Sequence, residues 1–452
     1  MQQDKDRAQG AWRPFNVSRL TTGQIDSHTR PNTLAGCQLE FGTSGTVSHF
    51  KLLCRKSGTS LLCLIQRSAD FGQQGLSFRQ GSRRGLPQRW FVHSAQGFDD
   101  LKVQSGAGDQ QQKKDQRKAD PAVITTHHGG LAGRPQDFFL DQIAIATRDM
   151  STAWALGIVA VHNYQVALMA PEAQATIFAD GPDAMISSSY NPVGARAEKV
   201  EGGVMLSGRW GWSSGSAHCN WVLLGGVIPG EGYRTLLVPD TQYRIDDTWF
   251  TMGLQGTGSN DIVIDEPVFV PDYMTHRQMD GFNCVHGQGP GVYDLPWAQV
   301  FVRVVNTSAI GAVRHAIAMM RDRVGLSSTD MAKSSTDPDV LGRIARAANL
   351  ADEAAAVMVR AYDEMEAANW RPTMIDRARY RFQASLVGDR CIEAMNLLMD
   401  IAGGRSVYTG SAFQDLWHDV RMARAHVANN PVGFARNYAN MLMGAENTDY
   451  FI

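Results

Sequence analysis

The 452-residue chain has only six cysteines and no CxxC pair, which fits a reducing compartment better than a disulfide framework. No apolar run reaches the roughly 18 residues that a membrane span needs. The opening MQQDKDRAQG has no apolar stretch behind its charges, so no secretory signal is read and a cytoplasmic location is the default expectation. Excess charge is lacking too. The 43 Lys+Arg stand against 45 Asp+Glu, a net charge of −2 that argues against nucleic acid or a membrane surface as partner. No metal-binding cluster is expected. With 43% hydrophobic residues the chain has ample material for a core, and its length allows two or three domains.

Glutamate is nearly missing from the first part, where residues 1–128 hold a single one, Glu40, against ten downstream. That part carries 18 basic and 10 acidic residues, whereas 129–452 carries 25 and 35. Helical segments use Glu freely, so its scarcity argues against helices before residue 129. The run Leu61–Ile65 reads as a short strand and Gln104–Lys118 as a solvated linker. No chemistry is visible in 1–128. Two readings compete: a poorly ordered extension, or a stretch outside the natural reading frame, which the coding DNA would test.

From Gly129 the pattern changes. Phe138–Met169 reads as two helices, with Ser151 able to cap the second. Residues 184–270 read as an antiparallel β domain, with turns at Glu201-Gly202-Gly203 and at PGEG. After Pro290 the helical period returns: Val305, Ala309, Ala312, Ala316 and Met320 share a face flanked by Ile310, Val313 and Ile317. Further helices are expected over 338–369, 372–401 and about 414–430, the first two with prolines near their starts. The order is helices, β domain, helical bundle.

Three segments together are specific: LSGRWGWSSGSAHCNWVLLGG (206–226), MGLQGTGSNDIVID (252–265) and LWHDVRMARAHVANNP (416–431). They resemble the oxygenase components of two-component flavin-dependent aromatic monooxygenases, of the secosteroid phenol hydroxylase and p-hydroxyphenylacetate hydroxylase type. The resemblance runs from about Gly129 to the C-terminus. It implies an α+β, acyl-CoA dehydrogenase-like fold in which 1–128 is unmatched, 129–180 is a remnant of the N-terminal helical domain, 181–285 is the middle β domain and 286–452 is the C-terminal bundle. It also implies reduced FMN or FAD from a separate NAD(P)H-dependent reductase, O2, a flavin C4a-hydroperoxide that hydroxylates a phenolic ring, and a homotetramer. Independent of resemblance, such chemistry wants a base near the phenol and a site kept from water.

His162, on an Ala/Val/Ile-rich helix, reads equally as a core histidine; the resemblance makes it the residue facing the phenol. Ser187, Ser188 and Ser189 could be a polar strand patch, and the resemblance lines the pocket with them, Ser188 being the choice for the substrate hydroxyl. In WGWSSG, the resemblance sets Trp212, Ser213, Ser214 and Gly215 against the flavin, with Ser214 at its N5 region. Gly253, Gly256 and Gly258 are spaced GxxGxG before a strand, which excludes a Rossmann fingerprint. Helical stepping puts Asp419, Met422, His426 and Asn430 on one strip, with His426 bordering the apolar line. The resemblance turns His426 to the flavin, but relatives have Asp where Asn430 stands and Arg where His418 stands; an Asn cannot hold an imidazolium as Asp would. Arg323 is either a helix C-terminal cation or a ligand of a neighbouring subunit's flavin phosphates. Gly403 and Gly404 are either a C-cap or a glycine pair against the flavin.

The main rival is an acyl-CoA dehydrogenase, which needs a carboxylate base, yet no Glu lies between Asp400 and Glu446. A second alternative is an inactive oligomeric scaffold, should the unmatched N-terminal part leave the pocket without its wall.

Overall fold

A computed structural model describes residues 35–43, 46–57, 60–67, 132–179, 184–285, 291–326 and 337–452, with the backbone alone for 35–67 and 323–326. Contacts divide the chain into two units, Met1–Gln80 and Gly81–Ile452. In the first unit, β1 (Ala35–Thr43), β2 (Thr46–Ser57) and β3 (Ser60–Arg67) form an antiparallel sheet in sequence order. The run Leu61–Ile65 lies inside β3, and β1 and β2 are strands that the sequence reading did not place. The linker 104–118 lies outside the described residues.

Among the described residues of the second unit, the first elements are α1 (Pro135–Ala146) and α2 (Met150–Ala167), then the short α3 (Pro171–Ile177). The cap of α2 is Asp149, not Ser151: its Oδ1 accepts the Thr152 N–H at 2.6 Å, satisfying a first-turn donor that has no intrahelical partner. Eight strands follow: β4 (Ile186–Ser189), β5 (Ala195–Val200), β6 (Gly203–Ser213), β7 (Trp221–Ile228), β8 (Gly232–Pro239), β9 (Arg244–Asp246), β10 (Asn260–Pro271) and β11 (Thr275–Arg277). They make two four-stranded sheets, ordered β5-β6-β10-β9 and β11-β8-β7-β4. Pairing is antiparallel except for β4, which runs parallel to β7 from Ile186 opposite Trp221 to Ser189 opposite Leu224. Parallel pairing needs a long crossover, and the 31 residues between β4 and β7 that include the β5–β6 hairpin supply it. The two sheets share one buried cluster that includes Val204, Leu206, Trp210 and Ile262 of the first and Leu223, Leu224 and Leu236 of the second, and Val166 of α2 and Met169 just beyond it extend the cluster. The Trp210 indole N–H donates to Gly225 O at 2.8 Å and ties the sheets together.

Among the described residues the bundle has α4 (Trp297–Val304), α5 (Thr307–Leu326), α6 (Pro338–Ala367), α7 (Met374–Ser385), α8 (Val387–Met399), α9 (Ala412–Ala425) and α10 (Pro431–Leu442). The expected apolar face is buried from Val305 to Met320, with Ile317 partly covered. Two expected helices are corrected. The stretch 372–401 divides at Leu386 into α7 and α8. The stretch 414–430 ends as a helix at Ala425, because Pro431 restricts the residue before it and starts α10 with Asn430 as cap. Close crossing of α1 and α5 depends on Gly311, where a Cβ would lie 2.2 Å from Ile143 O.

Candidate flavin and substrate site

Helix α2 organises the site because Trp154, Ile158 and His162 recur at i, i+4 and i+8 on one face. At 1.5 Å per residue, the Trp154 and His162 positions are about 12 Å apart along the axis. Two polar clusters stand at these two places.

At the Trp154 end, the indole N–H donates to Ser214 Oγ at 3.1 Å, and Ser214 shares a hydrogen bond with Ser259 Oγ at 2.8 Å. Ser259 in turn pairs with Thr257 Oγ1 at 2.6 Å. The hydroxyls of Ser213 and Ser216 are buried without a partner among the described residues. Gly215 holds φ +72°, and a Cβ there would sit 3.0 Å from Val159 Cγ2, so the turn needs glycine for conformation and for closeness to α2. Trp212 leaves the cluster: it is 65% exposed with φ +67°. The glycine loop joins the same end. Gly253 lies against the α9 backbone at His418, and the Leu254 N–H donates to Asp419 Oδ1 at 2.5 Å. Burial pushes the Asp419 carboxyl up to about 6, against that hydrogen bond.

His426 closes this end, its ring 6.1 Å from Trp154 in an edge contact. It is not on the helix strip expected for it. It ends α9 in extended conformation (φ −60°, ψ 134°) and its Nδ1 accepts the Ala428 N–H at 3.2 Å. In the neutral ring the proton is therefore on Nε2, as a donor. Loss of hydration first, and the Arg381 guanidinium second, hold its proton affinity below the ordinary histidine range. Asn430 is exposed, and its Oδ1 caps α10 by accepting the Val432 N–H at 3.3 Å.

At the other end His162 is fully buried, with Nδ1 2.5 Å from Ile158 O. A carbonyl accepts only, so Nδ1 carries the proton and Nε2 presents a lone pair, and that Nε2 is buried without a partner among the described residues. Desolvation, opposed by the Ile158 bond, lowers the ring's pKa to about 4. Tyr190, Trp297 and Phe301 enclose it at ring distances of 6.0, 5.6 and 6.0 Å. The strand period separates the serines. Ser189 Oγ donates to Gly211 O at 2.5 Å and the buried Ser187 is beside the Cys219 thiol, whereas Ser188 is beside the Tyr190 phenol. That phenol donates to Gln165 Oε1 at 2.5 Å, and the Gln165 amide reaches Thr235 Oγ1 at 3.0 Å and His276 Nδ1 at 3.4 Å.

The structure thus gathers Ser213, Ser214, Gly215 and His426 at one end of α2, and His162 and Ser188 at the other. Gly403 (φ +75°) and Gly404 lie in open surface space beyond α8, with no described contact to either cluster. Arg323 is on α5, and its side chain lies outside the described residues. Residues the sequence reading missed are Trp154, Gln165, Tyr190, Ser259 and Phe301. Trp154 and Gln165 were signalled by their α2 spacing from His162, Tyr190 by alternation with Ser188. Among the described residues no His/Cys/Asp/Glu group could hold a metal, and no helix is long and apolar enough to cross a membrane.

The helix–sheet–bundle order and this two-ended site define a protein of the acyl-CoA dehydrogenase fold. Residues 304–431 match the family described as "Acyl-CoA dehydrogenase, C-terminal domain". Over 342 residues the chain is 31% identical to "Flavin-dependent monooxygenase, oxygenase subunit HsaA" of Rhodococcus jostii (strain RHA1), covering 72% of this chain and 88% of that protein. It is 28% identical to "FADH(2)-dependent resorcinol hydroxylase, oxygenase component" of Rhizobium sp. (strain MTP-10005), over 70% of this chain and 83% of that one. The crystal structure of 3-HSA hydroxylase from Rhodococcus sp. RHA1 superposes with a TM-score of 0.68 at 27% identity, covering 76% of this chain and 94% of that chain. The chain belongs to the oxygenase components of flavin-dependent monooxygenases. Reduced flavin and O2 are its co-reactants, and such a component works beside a separate flavin reductase.

Proposed function

We propose that the chain hydroxylates a phenolic ring held beside His162 while reduced flavin is held beside Trp154, Ser214 and His426. The observation that carries this is the buried Nε2 of His162, a lone pair without a partner inside an aromatic enclosure. The flavin end fits a planar, hydrogen-bonding group: Ser213 and Ser216 hydroxyls are buried without partners around the Gly215 turn, and Ser214 is held by Trp154. When bound, reduced flavin would activate O2 for transfer of one oxygen atom.

The protein's own part follows from its tautomers. His162 Nε2 accepts the phenol proton, which raises electron density on the ring carbon ortho to the hydroxyl. Ser188 and Tyr190 border the same hydroxyl. His426 Nε2–H donates towards the flavin end. The buried surroundings of His162 exclude water, which limits loss of reducing power as hydrogen peroxide. In this reading 129–180 stands for the family's N-terminal helices, 181–285 for its middle domain and 286–452 for its bundle. The assembly is a homotetramer in the cytoplasm, and Arg323, Gly403 and Gly404 serve a flavin at a subunit boundary.

The test supplies the purified chain with a flavin reductase, NADH, FMN or FAD, and a panel of phenols and non-phenolic aromatics under labelled O2. Label incorporated into a phenol ortho to its hydroxyl, and lost in His162→Ala while oxygen uptake continues, is the expected result. Labelled product from non-phenols alone would sink the phenol assignment.

A further inference from the structure

We propose that the C-terminal tail, through Phe451, sets the shape of the substrate site; Phe451 is a positioning residue that acts on Phe301. The inference rests on the reading of His162 as the substrate-facing histidine. Chain termini usually fray, and fixing a backbone costs about 1–2 kcal/mol per residue. This tail is nevertheless tied down at successive points. Asn437, only 5% exposed on α10, donates from Nδ2 to Asn447 Oδ1 at 2.8 Å. Its Oδ1 accepts both the Thr448 N–H at 2.8 Å and the Thr448 hydroxyl at 3.1 Å. Asp449 Oδ1 accepts the Phe451 N–H at 3.0 Å, and the nearby Arg381 charge counteracts the burial of this carboxyl.

These bonds aim the last two residues inward. Ile452 is buried, and the Phe451 ring meets Phe282 at 5.9 Å and Phe301 at 6.1 Å, both edge-on. Phe301 is the ring that stands 5.2 Å from Tyr190 and 6.0 Å from His162. Phe451 therefore backs the enclosure from behind. Without it, Phe301 can tilt away from His162 into the space of a lost phenyl group, which enlarges the site. Rings of one size should then fit less well and larger rings better.

The experiment measures the binding of a one-ring phenol and of a phenol with a second ring para to its hydroxyl, by calorimetry without flavin, in wild type, Phe451→Ala, Phe451→Leu and Asn437→Ala. Steady-state KM and kcat and product formed per O2 are measured alongside. Expected in Phe451→Ala is about tenfold weaker one-ring binding, the scale of one misfitted group in an apolar site, with relative gain for the two-ring phenol. KM should rise more than kcat falls, and product per O2 should drop. Phe451→Leu should recover most of the loss, and Asn437→Ala, which loosens the tail without touching the enclosure, should change selectivity in the same direction. Equal changes for both phenols, or none, would overturn the proposal. Wild-type binding of neither phenol would instead overturn the reading of His162 on which it stands. Should Phe451→Ala fail to fold, the Phe451→Leu and Asn437→Ala selectivities decide.

Discussion

Replacing His162 by Asn tests the buried-base assignment most directly. The Ile158 carbonyl fixes the proton on Nδ1, and desolvation keeps the ring neutral down to a pKa of about 4. A base within reach of a proton is worth roughly 10²–10⁴-fold in rate, so kcat/KM for a phenol should fall by about 3–5 kcal/mol of transition-state stabilisation. Oxygen consumption should continue with hydrogen peroxide as product. The same burial has a signature in stability. A histidine whose folded pKa is depressed leaves the unfolded chain binding more protons between pH 6.5 and about 4, so stability is full above 6.5 and declines as pH falls through that window. The shift from 6.5 to about 4 corresponds to about 3 kcal/mol. Urea unfolding of wild type and His162→Asn at pH 7 and pH 4.5 should show that the variant loses less stability on acidification. A kcat/KM profile with an acid limb near pH 6.5 that vanishes in the variant would refute the reasoning, because it would mean a solvated histidine.

Ser214→Ala removes the hydroxyl that joins Trp154 to Ser259; anaerobic titration should show reduced flavin bound about tenfold more weakly, the scale of one lost buried hydrogen bond. Asp419→Ala should lower unfolding stability by about 1–3 kcal/mol, since the Leu254 N–H is left without its acceptor. Asp419→Asn keeps an acceptor and removes a carboxyl raised to about 6. A raised carboxyl costs stability as pH climbs through the range from 3.8 to about 6, so this variant should gain on wild type at pH 8 relative to pH 4 in thermal melts. Gly215→Ala meets both a positive φ and Val159; a melting-temperature drop equivalent to about 1–2 kcal/mol is expected.

The fold beyond residue 129 was legible because its patterns are strong: the wide apolar stripe of α5 and the continuous apolar runs of β7 and β8 between turn residues are buried as such patterns demand. Helix ends were less legible. The division of 372–401 at Leu386 has one local signal, Gly388 two residues on, and a lone glycine inside a helical pattern is tolerated, so the break is not legible from it alone. The His426 strip was extrapolated through a segment that Pro431 already forbids. At the site, His162, Ser188 and Ser214 were readable as residues, and the resemblance grouped them. Trp154, Tyr190 and Phe301 were not, because an aromatic in a helical apolar pattern looks the same whether it lines a core or a reactant. The capping role of Asn430 was signalled by Pro431 directly after it.

Helix α2 has a consequence for how such an enzyme can change. In the proposed reading both reactant ends are carried by one unbroken stretch of hydrogen-bonded backbone, so their separation is a property of a single stiff rod, whatever the surrounding walls do. Substitutions in the sheets, the bundle or the tail can exchange one ring for another while the gap an oxygen atom must cross stays constant. A one-residue insertion between Trp154 and His162 would do the reverse. It would turn His162, with every α2 residue beyond the insertion, about 100° away from Trp154's face, so selectivity can drift freely in this scaffold while the register of α2 cannot.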